Sequence, residues 1–296
     1  MLFGARRRVR ALCTVGDHPG VTCALIACVI AIAVGGVLSP PLVGSESGAR
    51  GDAGVPDAAA LWTRALAVQR LQSIRGDAVL RTEAASGDST ELEIRFMAKA
   101  AADGWGRWLV DRVESDGPLR GSSFLTLERR DGAPSLWVYL PGLGAPRRVT
   151  GSNLGDTYLG TEFAYAEFLQ PRIEDFDVSL LGPDLVGDTP CWKLEAVPNG
   201  GREEGTGYGK RDIWLRQDNI VERRVRYYDP AGRPLKVMDV YKVVPAGGDG
   251  RWIALKRRMH NLRTGQVSVA TFGTIEIDIE IDGAAFVPQH LANSLW

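Results

Sequence analysis

From Ala78 onward the apolar residues recur at every second position, and no other feature of the sequence constrains the fold as much. Leu92, Ile94 and Phe96 alternate with Glu91, Glu93 and Arg95; Trp108 and Val110 alternate with Arg107, Leu109 and Asp111. Val221, Val225 and Tyr227 alternate with Glu222, Arg224 and Arg226, and Ile275, Ile277, Ile279 and Ile281 with Glu276, Asp278, Glu280 and Asp282. Successive side chains of a strand point to opposite faces, so each run describes a strand with one buried and one wet face, the habit of antiparallel sheets. Asp103-Gly104, Asp116-Gly117-Pro118, Asp131-Gly132, Asp229-Pro230-Ala231-Gly232, Gly247-Gly248-Asp249-Gly250 and Thr264-Gly265 punctuate the runs with residues suited to turns. The runs number about ten to twelve, and the absence of helices between them excludes parallel βαβ units.

A twisted sheet of that size must curl or split, and its concave face here is apolar. A natural cover precedes it. Asp57 is a plausible N-cap for a helix running to about Arg75, with Leu61, Ala65, Val68, Leu71 and Ile74 on one face and Gly76 as its stop. A second cover is expected from the stretch Leu136 to Phe168. It begins with Leu136-Trp137-Val138-Tyr139-Leu140, apolar on both faces, turns at Pro141-Gly142, restarts at Arg147-Arg148-Val149, and ends in the compact aromatic segment Tyr158 to Phe168. The expected fold is mainly β: a strongly curved antiparallel sheet, or half-barrel, under an N-terminal helix and a second short helical segment.

The 296 residues carry 35 Lys and Arg against 36 Asp and Glu, so no global charge calls for nucleic acid. Charge matters only at the amino terminus. Arg6, Arg7, Arg8 and Arg10 precede an uncharged apolar run from Val21 to Leu38, the layout of an export signal or anchor. At about 1.5 Å per residue this run measures roughly 27 Å, close to the bilayer core, so a cleavable signal and an uncleaved inner-membrane anchor both fit. In either case the chain beyond about residue 50 lies outside the cytoplasm. The organisation is therefore residues 1–50 as export segment and linker and residues 51–296 as the functional domain. Of the four cysteines only Cys191 falls in that domain, where a small buried hydrophobe is the simplest role.

Catalytic signatures are missing. The three histidines, His18, His260 and His290, show no metal-ligand spacing, no G-x-S-x-G occurs, and Gly205-Thr206-Gly207-Tyr208-Gly209-Lys210 leads into a strand rather than the helix a phosphate loop requires. The chain reads as a binding protein without enzymatic activity or cofactor.

Trp137-Val138-Tyr139-Leu140-Pro141 through Arg147-Arg148-Val149, then Leu159-Gly160-Thr161-Glu162-Phe163-Ala164-Tyr165, resembles the bacterial outer-membrane lipoprotein-sorting proteins of the LolA-like superfamily. Tyr208-Gly209-Lys210 before Trp214, Tyr228 to Lys236, Trp252 to Asn261 and Phe286 to Leu291 continue the match in order. Two departures stand out: Thr161-Glu162 replaces the usual serine-aspartate pair, and the acid expected after Tyr165 is displaced to Glu167. The resemblance implies a half-open β-barrel that shields acyl chains of lipids or lipoproteins in the periplasm, with an inner-membrane transporter as partner. The competing reading is an anchored envelope sensor or an accessory subunit of an export complex. Leu61, Val68, Ile94, Phe96, Trp108, Trp137, Tyr139 and Phe163 are the expected lining of the hollow, and Arg147 and Arg148 its polar mouth.

Overall fold

The computed structural model describes residues 56–101, 106–130, 132–149, 154–199 and 206–293; the apolar run of residues 21–38 lies outside them. Helix α1 spans Ala58–Ala67, capped by Asp57, whose Oδ1 accepts from the Ala60 N–H at 2.7 Å, and it buries Leu61, Trp62 and Ala65. It ends at Val68, short of the expected Arg75. The apolar spacing of Val68, Leu71 and Ile74 continues the helical period by coincidence, because sheet contacts take over there. Trp252 N–H donates to the Val68 carbonyl at 2.7 Å, and Ile74 already pairs with Ala98 and Ile277.

Thirteen strands follow: β1 (Ser73–Glu83), β2 (Ser89–Ala100), β3 (Arg107–Val113), β4 (Ser123–Leu127), β5 (Ser135–Tyr139), β6 (Arg147–Val149), β7 (Phe176–Val186), β8 (Thr189–Pro198), β9 (Lys210–Arg216), β10 (Glu222–Tyr228), β11 (Pro234–Ala246), β12 (Arg251–Asn261) and β13 (Val267–Ile277). They form one antiparallel sheet in the order β6-β5-β4-β3-β2-β1-β13-β12-β11-β10-β9-β8-β7. Two meanders thus join at the centre through β1 and β13, and the two edges are β6 and β7, consecutive in sequence. Gly76 is not a helix stop but a strand residue beside a register shift, where a Cβ would stand 2.4 Å from the Thr274 carbonyl oxygen.

This topology explains the second cover. The link between β6 and β7 has to pass from one edge of a curled sheet to the other, so it crosses the open side. There Thr157 bridges to Ala164, Tyr165–Glu167 form one 3-10 turn, and Tyr158, Phe163, Tyr165 and Phe168 are buried. Together with α1 these rings close over Ile94, Phe96, Leu109, Phe124, Leu136 and Val138 on the concave face.

The convex face of β2 to β5 is apolar as well. Met97, Val110 and Leu125, flanked by Trp108, Leu127, Trp137 and Tyr139, are covered by Ile281, Ala285, Phe286 and Leu291. The isoleucine alternation that promised a strand to Ile281 breaks after Ile277: Asp278 adopts φ +53° and the chain folds back over the outside.

Candidate functional site: a cavity at the open seam

The cover is held by buried charge. On the concave side of β11, Lys236 Nζ donates to the Glu162 carbonyl at 3.0 Å and to Glu167 Oε2 at 3.2 Å. Tyr208 OH donates to the other Glu167 oxygen, and the Ala164 N–H donates to Oε2. Asn261 Nδ2 donates to Glu162 Oε2 at 2.8 Å, and the Glu162 N–H reaches Ser268 Oγ at 2.8 Å. Burial and the Glu167 charge push the Tyr208 and Tyr227 hydroxyls well above their ordinary range. Glu162 and Glu167 therefore serve one task, fastening the cover to β11, β12 and β13.

A second fastening lies nearer the edge. Arg107 of β3 pairs with Glu128 at 2.9 Å and also donates to the Phe168 carbonyl, while the Gln170 N–H donates to the same Glu128 oxygen at 3.2 Å. Burial raises the Glu128 carboxyl pKa, with Arg107 opposing it. Arg172 reaches the Arg129 and Gly132 carbonyls at 2.8 and 3.0 Å, tying the cover to the loop after β4.

Between these fastenings and the β7 edge opens a cavity of about 590 Å³. Its apolar wall includes Ala133, Pro134, Leu154, Leu169, Phe176 and Pro198, and its charged members are Glu128, Arg129, Arg172, Asp175 and Arg211. Beneath it lies a chamber of about 80 Å³ reached past Ala166, Leu169, Gln170, Pro171 and Arg211, with Arg107, Glu222, Tyr227 and Arg257 deeper in its wall. Arg211 is held among rings, 4.7 Å from the Phe176 centroid, 5.9 Å from Tyr227 and 6.0 Å from Trp62. Burial raises the Glu222 pKa and lowers that of Arg257, each charge partly relieving the other. Among the described residues no group of three His, Cys, Asp or Glu side chains converges as metal ligands.

A family model for proteins described as uncharacterized matches residues 111–293. The chain belongs to that family. Its solved structural relatives carry the LolA-like fold. One is a domain from Vibrio parahaemolyticus named as an outer membrane lipoprotein-sorting protein, with TM-score 0.73 and 21% identity over 79% of this chain and 98% of that one. A DUF1329 family protein from Desulfovibrio piger gives TM-score 0.72 and 22% identity over 79% and 97%. A LolA superfamily protein from Nitrosomonas europaea gives 0.61 and 19% over 79% and 98%. No curated protein matches the sequence.

Within this LolA-like fold the expected lining residues separate. Leu61, Ile94, Phe96 and Phe163 share the concave core, at 7%, 1%, 1% and 1% exposure, packed solid rather than facing open space. Val68 is the half-buried C-cap of α1. Trp108, Trp137 and Tyr139 require correction: they stand on the convex face under the C-terminal segment, with the Trp108 and Phe286 rings 6.1 Å apart. Period two gives two apolar faces in β3 to β5 and does not say which is concave. Arg147 and Arg148 sit exposed on edge strand β6, Arg148 donating to Ser135 Oγ at 3.2 Å, and neither lines the cavity.

The residues that do line it escaped attention because most lie in turns and connectors. Arg211 and Arg257 had a signal. Arg211 shares the strand phase of Ile213 and Leu215, and Arg257 that of Met259, so each is a charge at an inward position.

Proposed function

We propose that this protein binds an acyl chain of a lipid or lipoprotein in the seam cavity and carries it, shielded from water, outside the cytoplasm of a bacterial cell. The observation that carries the reading is the cavity of about 590 Å³ at the seam where the curled sheet stays open. Its size falls within the range of roughly 300–1,000 Å³ usual for small-molecule sites. Its lining is more apolar than polar, with five charged side chains set into it, so area supplies affinity and the charged groups supply orientation.

The energetics suffice without catalysis. Each methylene removed from water gains about 0.8 kcal/mol, so ten would supply about 8 kcal/mol, enough for micromolar binding. The fold supports the same reading, because α1 and the β6–β7 link divide the covering work unequally. The link is fastened by buried ion pairs, whereas α1 is ten residues long, half of them alanine, and anchors mainly through Trp62 on Phe176, 5.2 Å between ring centroids. A ten-residue cover with no ion pair among the described residues moves at less cost than the ion-paired link does, as release of cargo requires. Residues 51–296 form the binding domain in this proposal, delivered by the basic and apolar segment of residues 1–50 to the periplasm.

Native mass spectrometry and organic extraction of the full chain purified from bacterial envelopes test the proposal, together with displacement of a fluorescent acyl probe. Expected is a co-purifying acyl lipid, and loss of probe binding in Ala166→Trp, which fills the neck of the cavity. Absence of both lipid and probe binding in the unaltered protein would overturn it.

A further inference from the structure

We propose that the chamber beneath the seam cavity receives the carboxylate of a long-chain fatty acid inserted head first, with Arg211 and Arg257 as its cationic partners. The inference rests on the acyl-binding reading above and adds the class of ligand and its direction. A lipoprotein or diacyl lipid would have to enter tail first, because its head is far larger than the chamber.

The charge balance inside the hollow leads to this ligand. Two of its four cations are matched: Arg107 by Glu128 at 2.9 Å and Lys236 by Glu167 at 3.2 Å. Arg211 and Arg257 have neither a side-chain hydrogen bond nor an ion pair with any described residue, and Arg257 Nε is sealed from water without an acceptor. A guanidinium carries five donors and no acceptor, and the rings around Arg211 hold it by their faces without accepting those N–H groups in line. Two carboxylates line the chamber: Glu167, already matched by Lys236, and Glu222, which lies beyond ion-pair distance of both arginines and is the one anion left to face them. Two cations facing one anion leave a single uncompensated positive charge at the end of an apolar passage.

Size narrows the ligand further. At about 80 Å³ against about 590 Å³ for the seam cavity, the chamber suits a small head group such as a carboxylate rather than a bulky one. A doubly charged phosphate would meet Glu222 with one charge too many. Arg211 stands in the walls of both spaces, so a carboxylate seated on it would leave its alkyl chain running outward between Leu169, Pro171 and Phe176. Charge-assisted bonds to a planar carboxylate are among the strongest a guanidinium makes, and burial strengthens them.

The test uses the full chain in its native membrane and two photoreactive palmitate probes, one with a diazirine beside the carboxylate and one with it at the far end. Cross-linked peptides are mapped by mass spectrometry, with palmitate, its methyl ester and hexadecyl phosphate as competitors. Expected is labelling of β10 and β11 around Tyr227 and Met238 by the first probe and of Ala133, Pro134 or Pro198 by the second. Palmitate should compete at least about 10-fold better than its ester. In Arg211→Gln and Arg257→Gln that preference should fall to about 2-fold or less while both competitors still bind, and Arg211→Lys should restore part of it. Equal competition by acid and ester, or labelling of the chamber by the far-end probe, would overturn head-first binding and leave the carrier standing. Preference for the alkyl phosphate would overturn the carboxylate. Failure of every competitor would overturn the acyl-binding reading as well.

Discussion

The two faces of β2 to β5 are built from alternate residues of the same strands, yet they are closed in different ways. The concave face meets α1 and the β6–β7 link, and its rings interlock: Phe96 with Phe272, Phe124 with Tyr158, Tyr158 with Phe168, at 5.7 to 6.3 Å between centroids. The convex face meets only residues 278–293, which lie across it as two short 3-10 turns held by Lys99 Nζ on the Ile281 carbonyl at 2.9 Å and His290 on the Ala284 carbonyl at 2.6 Å. Both faces are dry. The convex one runs out into the solvent-exposed charges Glu91 and Glu93, whereas the concave one runs into a mainly apolar cavity at the seam between the edges, the place proposed for binding.

The comparison predicts an order of effects. Phe96→Ala should cost about 4 kcal/mol of stability, since the ring is enclosed on every side and its removal leaves a cavity that cannot collapse. Lys236→Met should cost about 3 kcal/mol by leaving the buried Glu167 carboxylate without its cation, and Glu167→Gln added to it should recover part of that loss. Phe286→Ala should cost less, about 2 kcal/mol, because a short peripheral segment relaxes more easily than the sheet. Guanidinium unfolding measures all three, and acyl-probe affinity separates them: Phe286→Ala should leave it unchanged, whereas Lys236→Met should weaken it by loosening the cover. An equal loss of affinity in Phe286→Ala would mean that the faces are coupled.

Much of this was legible in the sequence, and the gaps have a common cause. Alternation revealed the strands, the number of strands revealed the curl, and the Asp57 cap revealed the start of α1. None of these signals identifies the inside of the curl when both faces are apolar, so Trp108, Trp137 and Tyr139 fit the hollow by alternation alone. What decides between the faces is long-range: the turn at Asp278 that brings Phe286 to the outside, and the β6–β7 link that brings Phe163 to the inside. The helix end is obscured for the same reason, since Leu71 and Ile74 satisfy a helical spacing that sheet pairing overrides. Arg211 and Arg257 become conspicuous only after phase is assigned, when they stand among inward apolar neighbours.

A finer contrast separates the solid concave core from its charged end. Burial holds the Glu222 carboxyl above the usual carboxylate range against the pull of Arg257 and Arg211. The folded state therefore keeps this proton to higher pH than the unfolded chain does. Its contribution to stability is complete below about pH 4 and fades as pH rises through the shifted value. Glu222→Gln should remove that loss, so the stability difference between variant and parent should grow in the variant's favour from about pH 4 upward. Thermal unfolding across that range measures it, and a difference independent of pH would show that cavity water solvates Glu222 as well as bulk water does.

The smallest effect is expected at the positions where the sequence placed the mouth. Arg147 and Arg148 lie on a three-residue edge strand with exposed side chains, outside both cavities. Two like charges in water on a sheet edge discourage pairing with a second chain more than they stabilise their own. Arg147→Ala and Arg148→Ala should each change stability by less than about 0.5 kcal/mol and leave acyl-probe affinity as it was, in contrast to Arg211→Gln two strands in from the opposite edge. Because β6 and β7 flank the same opening, this pair of measurements assigns the mouth to one side. Loss of affinity in the Arg147 or Arg148 variants, with Arg211→Gln unaffected, would move the polar entrance to the β6 edge and empty the chamber of its role.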